Sequence, residues 1–200
     1  MSELPSAEKK IEQLDPRISA QFDKASTQRD KGNLDYTISL CGEWIKKYPH
    51  VLEFRKLLRD CQIKQCYPKG DYSSAGKPSL KSLMGQLSYP RKDPLKTISR
   101  CEKVLSENPL DLKANEFLAR TTEQLGWKQT AIFAWQTLLT NPKRKPEHVV
   151  ALAELMISEQ SPEMVGKLCE TFLKIFPGNS SITEVRNRAS IQKSLQEVDS

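Results

Sequence analysis

Aromatic residues make up only 7% of this 200-residue chain, too little to fill the core of a large β-sandwich. A membrane-spanning run is missing too: the longest apolar stretches are short pieces such as Val149 to Leu152, far below the ~20 residues a spanning helix needs. The N-terminus, MSELPSAEKKIEQLDP, has no apolar core of a secretory leader, so the expected location is the cytoplasm. No C-x-x-C occurs and the only histidines are His50 and His148, which leaves no four convergent ligands for zinc, and neither metal nor cofactor is expected. Five cysteines, an odd number without an export signal, argue against a disulfide framework. Motifs of catalysis are equally missing: there is no G-x-S-x-G, no H-E-x-x-H, no P-loop and no Gly-rich turn, so the chain is not expected to be an enzyme.

What remains, 38% hydrophobic and 28% charged residues, suits a soluble, helix-rich chain long enough for one sizeable domain or a short repeat array. Its clearest order is a spacing. Cys41, Cys101 and Cys169 each stand eight residues before a proline, Pro49, Pro109 and Pro177, and Ala134 stands eight before Pro142. Ile or Leu lies midway, at Ile45, Leu105, Leu138 and Leu173, and steps of four keep such positions on one helical face. Proline then closes the helix, because it lacks an amide donor and disfavours α geometry in the residue before it. A small side chain at the cysteine position lets a neighbouring helix come close. Upstream, Ala25, Gly85, Ala119 and Ala153 precede the same prolines by 24, 24, 23 and 24 residues, and the last three lie 34 apart. Helix, turn, helix and proline at that period are the mark of a helical solenoid.

With these residues the chain resembles the tetratricopeptide repeat family, in which a small residue sits midway in the first helix, Gly marks the turn, a small residue opens the second helix and Pro closes the unit. Ala25, Gly32, Thr37 and Pro49 fill those slots in a first repeat, and Ala119, Gly126, Thr130 and Pro142 in a third. The chain departs from the pattern where Thr37, Thr97, Thr130 and Val165 replace Ala, and where Lys92 and Gln160 stand at the turns of the second and fourth repeats. The resemblance covers most of residues 15 to 196 and implies an all-α superhelix of helical hairpins. It also implies a concave groove, lined by first helices, that binds a segment of another protein. Groove positions carried over are Ser19, Phe22, Ser26 and Arg29; Lys113, Glu116, Arg120 and Glu123; and Glu147, Val150, Glu154 and Ile157. Four glutamates among them disfavour a clamp for an acidic C-terminus, which would gather several donors.

Residues 1–14 read as a tail, 15–66 as one repeat plus a helix covering its open side, 67–78 as a Pro/Gly/Ser linker, 79–178 as three repeats and 179–196 as a capping helix. Ile182, Val185, Ala189 and Ile191 form the expected stripe of that last helix, with Asn179 or Ser180 as its N-cap. Arg59 occupies the slot 34 residues after Ala25, so the covering helix is no ordinary first helix. Between residues 62 and 103 nine bases face three acids, a difference equal to the whole formal charge of +6. With Tyr67, Tyr72 and Tyr89 nearby, this stretch offers an alternative function, contact with RNA or an anionic membrane surface, although dispersed bases fit a solvated loop better. His50 and His148 read as surface or capping residues, and Trp44, Trp127 and Trp135 as packing. The expected function is a cytoplasmic protein-interaction module or scaffold without catalysis, binding a partner segment through its groove or its convex, cysteine-lined side.

Overall fold

The computed structural model describes residues 7–77 and 93–198. These contain nine α-helices and no strand: α1 (Pro16–Asp30), α2 (Leu34–Lys47), α3 (Leu52–Cys66), α4 (Pro94–Leu105), α5 (Leu112–Gln124), α6 (Lys128–Leu139), α7 (Pro146–Ser158), α8 (Pro162–Leu173) and α9 (Ser180–Val198). The fold is all-α, and helices consecutive in the chain pack on each other on either side of the undescribed segment. The expected first helix of the second repeat, around Met84 and Gly85, and the turn at Lys92 lie outside the described residues, as does Tyr89.

Local chemistry sets the helix ends. Asp15, Asp93 and Asp111 accept from backbone N–H groups of the first turns of α1, α4 and α5, and proline at the first turn of α1, α4, α7 and α8 gives up an amide that would have no helical partner. Of the two candidate caps for α9, Asn179 does the work: its Oδ1 accepts from Ile182 N–H at 3.0 Å. Three hairpins close identically. Asn33 N–H bonds back to Gln28 O at 2.9 Å, Trp127 N–H to Thr122 O at 2.8 Å and Ser161 N–H to Met156 O at 3.1 Å, the six-residue loop closure that needs a left-handed residue one position earlier. Gly32 and Gly126 supply it at φ 85° and 77°; in the third hairpin Gln160 is forced to φ 56°.

The small residues of the repeat pattern lie where helices meet. Ala25, Cys41, Cys101, Ala119, Ala134, Ala153 and Cys169 are all buried. Their smallness brings backbones together: the Thr37 hydroxyl on α2 reaches across to donate to Ala25 O on α1 at 3.2 Å. Two apolar cores result. One joins Ala25, Cys41, Trp44 and Ile45 to Phe54, Leu57, Leu58 and Cys61 on one face of α3. The other runs from Ile98 on α4 to Ala189 on α9 and contains Trp127 and Trp135. Each fully buried Leu or Phe contributes about 1.5–3 kcal/mol, so each core is a substantial stabilising unit.

Between the two cores lies a polar seam built on the other face of α3. Arg55 Nε donates to Glu102 Oε1 at 2.7 Å and Arg59 Nη2 to Glu102 Oε2 at 2.8 Å, with both arginines fully buried. Burial pushes the Glu102 carboxyl up, but the Arg59 and Arg55 guanidiniums outweigh it and hold the group below its ordinary range. The seam is strapped at both ends. The Glu8 carboxylate accepts from the N–H groups of Gln129 (2.9 Å) and Thr130 (2.7 Å), capping α6 from the far end of the chain. At the other end Tyr67 OH donates to Asn108 Oδ1 at 2.8 Å, and Ala75 O accepts from Asn108 Nδ2 (3.1 Å) and Asn141 Nδ2 (3.0 Å).

Two expectations need correction. His50 is buried rather than a surface residue: its carbonyl accepts from Lys9 N–H and its ring lies 6.3 Å from that of Trp127. Ile191 leaves the stripe of α9 and is 63% exposed, because two residues beyond Ala189 is about 200° around a helix.

Candidate functional site

On α5 the spacing of Lys113, Glu116, Arg120 and Glu123 places four charges on one face, with Glu116 half-buried and the other three exposed. A cleft of about 360 Å³ opens there, lined by Lys113, Glu116, Phe117 and Arg120. Arg120 is oriented from two sides: its Nε donates to Glu116 Oε1 at 3.0 Å, and its guanidinium lies over the Trp135 ring at 5.4 Å. Trp135, on α6, faces the His148 ring of α7 at 6.1 Å. His148 Nδ1 accepts from Lys145 N–H, so the residue caps α7 as the sequence suggested. Burial holds His148 below its ordinary range despite Glu116 and Glu147, leaving a neutral ring near neutral pH. Trp135 and His148 escaped the sequence reading of this face because they come from other helices. A planar cation held over an aromatic ring can recognise carboxylates or carbonyls of an extended chain.

The other carried-over positions fall elsewhere. Glu147 is exposed, Val150 and Ile157 are half-buried against the larger core, and Glu154 is taken by Arg188 of α9. On α1, Phe22 turns inward, its ring 5.8 Å from Phe54 and 6.3 Å from Trp44, while Ser19 and Ser26 are half-buried beside it. Arg29 pairs with Asp30 at 2.9 Å and with Asp60 of α3 at 3.4 Å. The structure therefore gathers Lys113, Glu116 and Arg120 with His148, and engages Phe22 and Arg29 with α3.

A second concavity was not visible as such in the sequence. It is a trough of about 460 Å³ between α2 and α4, with α3 beneath, lined by Ile38, Ile45, Leu58, Leu95 and Ile98 among others. The cysteine spacing held its only signal, since Ile38 and Ile98 each sit three residues before a buried cysteine. A hollow of about 700 Å³ at the first hairpin turn is an open notch of mixed polarity around Lys24, Gln28, Gly32, Asp35 and Tyr36.

In the basic stretch, Tyr67 and Tyr72 turn their rings on each other, 5.4 Å apart and at 88°. Among the described residues no three His, Cys, Asp or Glu side chains converge to hold a metal ion, and no helix is long and apolar enough to cross a membrane. Comparison with protein-family models, with curated proteins and with solved structures finds no match for this chain.

Proposed function

We propose that the chain is a tetratricopeptide-like solenoid acting as a protein-interaction module, and that the α5 face binds a segment of a partner polypeptide without catalysis. The carrying observation is the cleft at Lys113, Glu116, Phe117 and Arg120, open beside a guanidinium already positioned over Trp135. Supporting the solenoid reading are the equal closures at Gly32, Gly126 and Gln160 and the buried small residues of the 34-residue period. Both signs of charge line the face, so the partner segment carries both as well; a purely acidic tail would meet Glu116 and Glu123. Five free thiols, four of them buried, suit a reducing compartment, and we place the module in the cytoplasm.

The test is a pull-down with the intact chain and with a Lys113→Glu/Arg120→Glu variant of unchanged helicity. The reading expects polypeptide partners lost from the variant. Recovery of nucleic acid alone, with affinity falling steeply as salt rises, would instead favour the basic stretch around residues 62–103.

A further inference from the structure

We propose that the trough between α2 and α4 docks an amphipathic helix of a partner protein whose apolar stripe is flanked by acidic residues. This site is independent of the α5 face.

Its shape fits a helix. One helical wall runs from Ile38 to Lys46 and the other from Leu95 to Lys103, so each is about 12 Å long, just over two helical turns. The lining is mostly apolar, with Leu58 of α3 as floor, which suits side chains arriving at i, i+3, i+4 and i+7.

Gly42 supplies an independent sign. It sits in the interior of α2 and lines the trough, yet a Cβ built there would meet no atom within 4 Å. A mid-helix glycine weakens its helix, and no described residue packs against this one closely enough to require it. A glycine there leaves room for another backbone to approach closely.

Charge decides which helix fits. Lys46 and Lys103 line the trough, and Arg55 and Arg59 lie buried behind Glu102, the one carboxylate among the described lining residues. Lys46 also pairs with Glu43 outside. Arg55 and Arg59 share the one carboxylate of Glu102, so positive charge stays in excess around the trough. Acidic flanks complement this field; basic flanks are repelled.

The test uses the full chain and two helical peptides of about 14 residues, four turns, with the same leucine stripe and either Glu or Lys flanks. Fluorescence anisotropy at about 50 mM salt, where screening is weak, is expected to show the Glu peptide binding at least ~10-fold tighter than the Lys peptide. That gap narrows as salt rises. Gly42→Leu puts a side chain into the trough from a position where a Cβ meets no atom within 4 Å, so it is expected to weaken binding by at least ~10-fold while Tm stays level or rises. Lys46→Glu/Lys103→Glu is expected to reverse the peptide preference. Failure of both peptides to bind, equal affinities, or binding indifferent to Gly42→Leu would overturn the proposal. So would loss of binding in Arg120→Ala, which would move the site to α5, or a dimer in sedimentation that Gly42→Leu dissociates, which would make a second copy the occupant.

Discussion

Gln160 is a side chain doing a glycine's work. Its hairpin closes with the same bonds as those at Gly32 and Gly126, but at φ 56° a Cβ crowds the adjoining carbonyl. Gln160→Gly is expected to stabilise the chain by about 1 kcal/mol, read as a higher denaturant midpoint at constant m-value. The thiols divide as sharply. Cys41 is pushed up to about 12 and Cys61 to about 11, chiefly by burial, whereas Cys66 is exposed. A thiol reagent is expected to label Cys66 first and to reach Cys41, Cys61, Cys101 and Cys169 only when the fold opens. Rapid labelling of all five in the native state would contradict the packing role of the repeat cysteines.

Among the elements, α3 decides how the chain holds together, because one face closes the first core and the other carries the arginines of the seam. Glu102→Gln would leave two buried guanidiniums without a counter-charge, and such unpairing costs about 3–5 kcal/mol. Chemical denaturation of that variant is expected to show a loss of this size; one below about 1 kcal/mol would mean the seam is solvated. Glu8→Ala removes the cap of α6 and is expected to cost about 0.5–2 kcal/mol despite its place near the chain's start. The elements also show what a sequence discloses. The three described hairpins were legible because proline, glycine and small residues report on their own helix within a few positions. The seam was not. Arg59 read as a break in the pattern, and its partner Glu102 lies 43 residues away; Glu8 and Thr130 are 122 apart. In the candidate site Lys113, Glu116 and Arg120 were legible because one helix carries them, while Trp135 and His148 reach the same place only through tertiary packing.

At the scale of the whole molecule, two cores tied by a buried ion cluster and two straps are expected to unfold as one cooperative unit near neutral pH. Stability should fall in mild acid. His50 is held below its ordinary range first by burial and then by Lys9, and His148 mainly by burial. Both are neutral in the fold, but the unfolded chain takes up protons near pH 6.5. Below that value the unfolded state binds more protons, so stability that is complete above about pH 6.5 declines as pH falls toward the depressed folded values. A melting profile from pH 7.5 to 5.5 checks this, and His50→Gln should flatten it; a profile that rises toward pH 5.5 would refute the buried neutral ring.

The central claim is that the open face of α5 receives another polypeptide, and site-specific photo-crosslinking in the intact chain tests it most directly. With the reactive group at Lys113, beside Glu116 and Arg120, the account expects adducts to a polypeptide segment, and none when the group is moved to exposed Thr171 on α8. Adducts to nucleic acid, or equal labelling from both positions, would contradict it.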